Sequence, residues 1–448
     1  MKETYRLAKL VCGIDVSVLT EERFADIRYK FLDWYGCAVG AAESSTAKKL
    51  CKAFRTEAGQ GRCSVFCSDA TYPVLTAAFL NGAESHILEC DDVHKTAITH
   101  PGIIAITAAL TVAETYKKSF GEFALGVVAG YEVMIRLGNA LNPSHYDYWH
   151  TTGTCGTFAA AAVAGKMLDF TPDRMEQAFG IAATMASGLV CEFGTDAKLV
   201  TVGNAIRNGI QAAQLAAQGI NSCTDVIERA GGYGEAVSAR PDLQALTVSA
   251  RPMIDTACYK IYASCGHTHS ALDALFSLLQ ESPFCARDVE QITVSTYTKA
   301  AELTGAFKAQ SASEAKFSLP FCIAAGVIYG SVSVHQFEPE VLQDKELSTF
   351  AEKISVQADP NLDAEYPVKR PEHIKIALRD GRVLQKTVQL PLGKPEYSFI
   401  ENKFLSLAEM TVSRGQALDM MWRILSAQAD TQMQDIIKHL RGTLYYGK

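Results

Sequence analysis

No block of basic residues occurs in this 448-residue chain, and no apolar run approaches the ~18 residues that span a bilayer. The first absence argues against nucleic acid, whose phosphates demand clustered Lys and Arg. The second argues against a membrane helix. No C-x-x-C pair and no H-E-x-x-H pair is present, which removes the commonest zinc patterns. The opening MKETYRLAKLVCGIDV has no long apolar core and no small-residue cleavage site, so a secretory signal is not expected there and the cytoplasm is. The Gly-rich run Ala230-Gly231-Gly232-Tyr233-Gly234 lacks a Walker lysine and reads as a turn. No fixed-period repeat or low-complexity segment stands out.

What is present is ordinary globular composition, 48% hydrophobic and 20% charged, with a formal net charge of -7. The length suggests two or more domains. A modest negative charge is compatible with an anionic substrate if a local basic pocket exists. The 13 cysteines, an odd number, run from Cys12 to Cys322 and read as small buried hydrophobes in a reducing compartment. The closest pair, Cys63 and Cys67, reads as helical neighbours.

Up to about residue 260 the apolar spacing is helical. Thr20 is a plausible N-cap, followed by Phe24, Ile27, Phe31 and Tyr35 at helical intervals. Thr171-Pro172 opens another helix, whose apolar face runs from Met175 to Leu189. Ala159 to Ala164 and Gly203 to Gly209 supply small side chains that let helix axes approach closely, and Gly219 reads as a helix stop. Beyond residue 262 the period changes to two at 291–297, 353–356 and 373–378. Asp380-Gly381 then marks a hairpin into Val383 to Leu390. Helical patterns from Ser270 to Leu279 and Ser318 to Tyr329 interrupt these strands. Pro391 to Pro395 breaks the chain, and the tail returns to helix. The expected fold is mainly α: a large helical domain formed by 1–261 and 394–448, with a smaller α+β domain over 262–393 carrying an antiparallel sheet.

Four polar clusters could carry chemistry. Between Glu84 and His100, three histidines and four acids fall within 17 positions, beside the apolar stretch Ile103 to Val112. Such a set suits a metal, or it is a solvated loop with a capping Asp. His150-Thr151-Thr152-Gly153-Thr154 leads into an Ala-rich helix, whose first N–H groups favour an anion; alternatively Thr151 or Thr152 only caps, and His150 is at the surface. Lys198, ahead of a helix starting near Gly203, could meet a carboxylate or be solvated. His269, four residues before Asp273, reads as a paired or proton-shuttling histidine, with a zinc pair of His267 and His269 as the competing reading.

In this order the segments resemble the MmgE/PrpD family over essentially the whole chain. The resemblance runs from Asn81-Gly82-Ala83 through Asp91-Asp92 and His100-Pro101-Gly102, then Gly130-Tyr131-Glu132 with Arg136. It continues with the His150 turn, Lys198, and Tyr262 to His269 and Asp273. Phe317-Ser318-Leu319-Pro320 and Lys394-Pro395 before Lys403-Phe404 complete it. It implies a helical domain plus an α+β lid, a homodimer, a small anionic carboxylate as substrate, and neither metal nor organic cofactor. It places Asp91, Asp92, His100, His150, Lys198 and His269 in the pocket, with Glu89, Thr151 and Thr152 as substrate contacts. Glu89 stands where relatives often carry Asp, and Phe321 where some carry a Tyr hydroxyl.

The chemistry implied is removal of a proton α to a carboxylate, which puts a second negative charge on the substrate. It needs a base near that proton and cations to stabilise the intermediate. His100 is the expected acid or base, tuned by Asp91 and Asp92. Lys198 is the expected carboxylate binder, and His269 the lid's contribution. A dehydratase like 2-methylcitrate dehydratase is the first expectation. An epimerase acting on iminodisuccinate or a cis-aconitate decarboxylase is the alternative. A non-catalytic carboxylate-binding protein is the reading from another class.

Overall fold

The computed structural model describes residues 2–249, 251–391 and 395–446. The chain forms two compact units. One comprises 1–191, 197–259 and 396–448, the other 192–196 and 260–395. The short stretch 192–196, expected in the helical part, clusters with the second unit. Leu392, Gly393 and Lys394 of the expected chain break lie outside the described residues.

The first unit is a helical assembly. Helix Glu21–Ala41 starts where Thr20 accepts a hydrogen bond from the Arg23 N–H, and buries Ile27, Phe31 and Tyr35. Helices Thr151–Met167 and Ala197–Ala217 pack at very short range: a Cβ on Gly209 would stand 2.4 Å from the Thr157 carbonyl oxygen. Only glycine tolerates that approach. Gly203 is likewise a contact residue, since a Cβ there would meet the Phe79 oxygen at 2.6 Å. The helix begins at Ala197, not near Gly203, and Lys198 lies inside its first turn. Gly219 follows the end of this helix at φ +84°.

Three further expectations fail here. Helix Pro172–Met185 is capped by Thr171 but stops short of Leu189. The chain is drawn out instead into a bridge between Trp149 and Leu189, where His150 N–H meets the Gly188 oxygen at 3.0 Å. The unit is also not purely helical. Strands β1 (Cys63–Val65) and β2 (Ser68–Tyr72) form a small antiparallel hairpin. Cys63 is in β1 and Cys67 in the turn, so they are not helical neighbours; Cys67 meets Cys51 instead, sulfur to sulfur at 3.0 Å.

The second unit carries four strands, β3 (Val289–Thr296), β4 (Ile354–Ala358), β5 (Glu372–Leu378) and β6 (Val383–Val388), in the order β4-β3-β5-β6. The β5–β6 hairpin turns at Gly381, φ +89°, as Asp-Gly foretells. The sheet is mixed, however: β4 runs parallel to β3. The helical chain between β3 and β4, including Leu319–Tyr329, returns the chain to the same end, and such a crossover permits parallel pairing. Helix His269–Glu281 lies against β5 and β6. Among the described residues no helix is long and apolar enough to cross a membrane.

Candidate active site

The first unit brings four segments together. His86 caps the C-terminal end of helix Val74–Ser85. The loop after it ends in His100, the N-cap of helix Pro101–Tyr116. His150 is the N-cap of helix Thr151–Met167, and Lys198 comes from helix Ala197–Ala217. Glu89, Asp91, Asp92, His86, His150 and Lys198 are all buried, so the loop is not a solvated one. His100 is half-buried, its side chain 15% exposed.

Hydrogen bonds fix the tautomers. His86 Nδ1 lies 2.9 Å from Asp91 Oδ1, an acceptor, so it carries the hydrogen. Its Nε2 is then a lone pair and accepts from the Lys198 ammonium at 2.9 Å. Lys198 also donates to the Glu89 carboxylate. His100 Nδ1 directs its hydrogen at the Asp92 carbonyl oxygen, 2.9 Å away, with Asp91 Oδ2 beside it at 3.1 Å. Both are acceptors, so the lone pair of His100 is on Nε2, which has no hydrogen bond among the described residues. The Thr201 hydroxyl donates to the Lys198 carbonyl and therefore accepts from His150 Nδ1, at 2.7 Å. The His86 ring lies 5.1 Å from that of His100 and 6.4 Å from that of His150.

Burial pushes His86 down to about 3, because a charged imidazole loses its hydration there; the nearby Lys198 adds to this and Asp91 opposes it. Burial likewise holds His150 well below the usual histidine range, helped by His86 and His100. Burial pushes Asp91 up, but the two imidazoles beside it more than offset that, and its carboxyl lies well below the usual range. His86 and His150 are therefore neutral, and Asp91 ionised, near neutral pH.

Asp92 serves the scaffold. Its carboxylate accepts from the Gly102 N–H at 2.7 Å and the Tyr131 hydroxyl at 2.5 Å, tying the loop to the start of the His100 helix. Lys30 stands 4.0 Å from it, between the faces of Tyr131 and Tyr259. Burial pushes the Asp92 carboxyl up, with Lys30 and these hydrogen bonds opposing. On the other side Lys403 donates to Asp33 at 2.7 Å and to the Cys90 carbonyl. Glu89 itself adopts φ +55°, a left-handed conformation that costs a non-glycine residue roughly 1–2 kcal/mol. The Lys198 contact holds it there.

Of the residues expected from sequence, Glu89, Asp91, Asp92, His100, His150 and Lys198 meet in this unit. Thr152 joins them by accepting the His100 N–H at 3.2 Å. Thr151 instead accepts from Asn142 at 3.4 Å. His269 belongs to the second unit, where it opens helix His269–Glu281 with its ring edge-on to Tyr262. His267 bonds to the Tyr297 hydroxyl, and no metal-ligand grouping of three or more among the described residues includes either histidine. His86, Glu89 and His100 do place ligand atoms within 4.8 Å of one another. The ammonium of Lys198 already holds two of those three, so the set is built around a cation that the chain supplies. Sequence reasoning missed the central place of His86 and the supporting roles of Thr201, Lys30 and Asp33. The signal for His86 is its position directly after an apolar helix.

Four buried histidines kept neutral make the fold acid-sensitive. His86 falls to about 3 and His145 to about 4, with His150 and His267 also lowered, each chiefly by burial. The unfolded chain takes up these protons below its ordinary pKa of about 6.5, while the native chain does not. Stability is therefore full above that pH and is lost as pH falls toward 3–4, by about 1.4 kcal/mol per pH unit for each group. Urea midpoints measured from pH 7 to pH 5 should drop steeply; a flat profile would refute the assignment of neutral buried rings.

Comparison with known proteins shows the family of the chain. Residues 5–246 match the MmgE/PrpD N-terminal domain and 262–425 the C-terminal domain. The chain is 24% identical to a cis-aconitate decarboxylase-like protein of Aspergillus oryzae, over 98% of each chain. It is 23% identical to the cis-aconitate decarboxylase of Mus musculus, over 92% of this chain and 88% of that one. It is 23% identical to the 2-methylcitrate dehydratase of Salmonella typhimurium, over 85% and 84%. With both domain models matched in order along most of its length, the chain belongs to the MmgE/PrpD family.

Proposed function

We propose that this protein is a lyase that removes a proton α to a carboxylate on a small di- or tricarboxylic acid, with dehydration as the overall reaction. The observation that carries this is the tautomer of His100: its Nδ1–H is engaged by the Asp92 carbonyl, which turns the basic Nε2 outward. A histidine held this way is set up to accept a proton first, as elimination requires. Lys198 binds a substrate carboxylate and stabilises the charge that develops on it. Asp91 stabilises the imidazolium once the proton has moved, and the neutral His150 donates or accepts at the far side. Thr151, Thr152 and Glu89 complete the set of proposed substrate contacts in the first unit, in a homodimer.

Decarboxylation is the second reading. It is favoured by relatives with that name matching nearly the full chain. Proton NMR with 2-methylcitrate and cis-aconitate separates the two. New olefinic signals from the hydroxy acid, with all carbons retained, support dehydration. Release of carbon dioxide from cis-aconitate supports the second reading. Turnover of neither, nor of related hydroxy acids, by folded protein would remove both.

A further inference from the structure

The same unit contains a cavity of about 800 Å³ that shares no lining residue with the histidine cluster and is lined by Arg62, Lys117, Lys438 and Arg441. The chain as a whole is acidic, with 49 Asp and Glu against 42 Lys and Arg. The cavity reverses that balance, since Glu114 is the one carboxylate among its lining residues. That carboxylate is already engaged: its two oxygens accept from the Ser64 N–H at 2.8 Å and the Ser64 hydroxyl at 2.6 Å. Arg62, Lys117 and Lys438 form no ion pair among the described residues. Arg441 donates to the carbonyls of Asp69 and Ala70, which fixes its guanidinium to the β1–β2 hairpin.

Lys117 is placed by a specific backbone choice. It ends helix Pro101–Tyr116 in the left-handed conformation, φ +55°, where glycine is the usual residue. A lysine there accepts a conformational cost in exchange for a cation at the cavity. Four like charges around one recess repel one another when nothing lies between them. A multiply charged anion relieves that repulsion, and the exposed guanidinium of Arg62 suits the planar, two-point binding of phosphate or carboxylate.

We propose that this cavity is a second ligand site for a small polyanion, phosphate- or carboxylate-based. Its position gives it a route to the first. Val74 and Lys117 stand at the far ends of helices Val74–Ser85 and Pro101–Tyr116, whose near ends hold His86 and His100. The second of these, 16 residues long, spans about 24 Å.

The test uses inorganic pyrophosphate and tricarballylate as probes, by calorimetry and thermal shift at low salt, on the wild type and on the Lys117→Gln/Lys438→Gln variant. At least one probe should bind the wild type and raise its Tm, and the variant should bind it at least tenfold more weakly while turning over carboxylate substrate normally. Preference for pyrophosphate identifies a phosphate ligand, and preference for tricarballylate a carboxylate ligand. Equal affinity in variant and wild type, or no binding of either probe at millimolar concentration, would overturn the proposal. Arg62→Gln, at an exposed position, gives the same reading if the double variant does not fold.

Discussion

His100→Ala should lower kcat by about 10²–10⁴-fold, the range expected when a positioned acid–base group is lost. The fold should survive. His100 is half-buried, and its ring contributes one neutral hydrogen bond to the Asp92 carbonyl, a loss of about 0.5–1.5 kcal/mol. Far-ultraviolet circular dichroism and Tm should therefore stay close to wild type while turnover collapses. KM should change little, because carboxylate binding is assigned to Lys198. Near wild-type turnover would remove His100 from the chemistry and leave His150 as the candidate base.

Lys198→Met should be costly in a different way. The lysine donates to both Glu89 and His86 Nε2 in a buried setting. Methionine fills similar volume but leaves the Glu89 carboxylate without its cation, which costs about 3–5 kcal/mol when a buried pair is broken from one side. Urea denaturation should show that loss, and substrate affinity should fall with it. Adding Glu89→Gln removes the stranded charge, so the double variant should recover most of the stability and none of the turnover. If Lys198→Met alone is as stable as wild type, the Lys198–Glu89 contact is not holding the loop.

The helical part was legible because its signals are local. Thr20 and Thr171 cap as their spacing implies, and Asp380-Gly381 turns the hairpin. The failures come from tertiary context. The helix after Lys198 is expected to start near Gly203; it starts at Ala197, and Gly203 lies inside it, packed where a Cβ would meet the Phe79 oxygen. Leu189 continued an apolar face on paper, but the chain leaves the helix to pair with Trp149. The β1–β2 hairpin is too short for a period of two to show. The parallel β3–β4 pairing depends on a crossover whose strands are some 60 positions apart.

The candidate site was legible as composition but not as geometry. A cluster of three histidines and four acids announced itself, yet a solvated loop and a metal site fitted it equally well. What separates them is burial and the direction of each hydrogen. Lys198 is 109 positions from Glu89, and Thr201 is 51 from His150. No local pattern in sequence reports pairs at that distance. His86 was visible only as one more histidine until Asp91 and Lys198 were found on opposite edges of its ring.

The central claim is that this cluster moves a proton at a carbon beside a carboxylate, whichever group leaves afterwards. The direct measurement is to incubate the protein in deuterated water with cis-aconitate and with 2-methylcitrate, then read the recovered and product acids by NMR and mass spectrometry. Wild type should place deuterium on a carbon α to a carboxylate, and His100→Ala should place none. Since the dehydrated acid keeps no hydrogen on the carbon that lost its proton, the label is read in the recovered acids and in any decarboxylated product; no deuterium in any of these after extended turnover, or equal labelling by His100→Ala, would contradict the account.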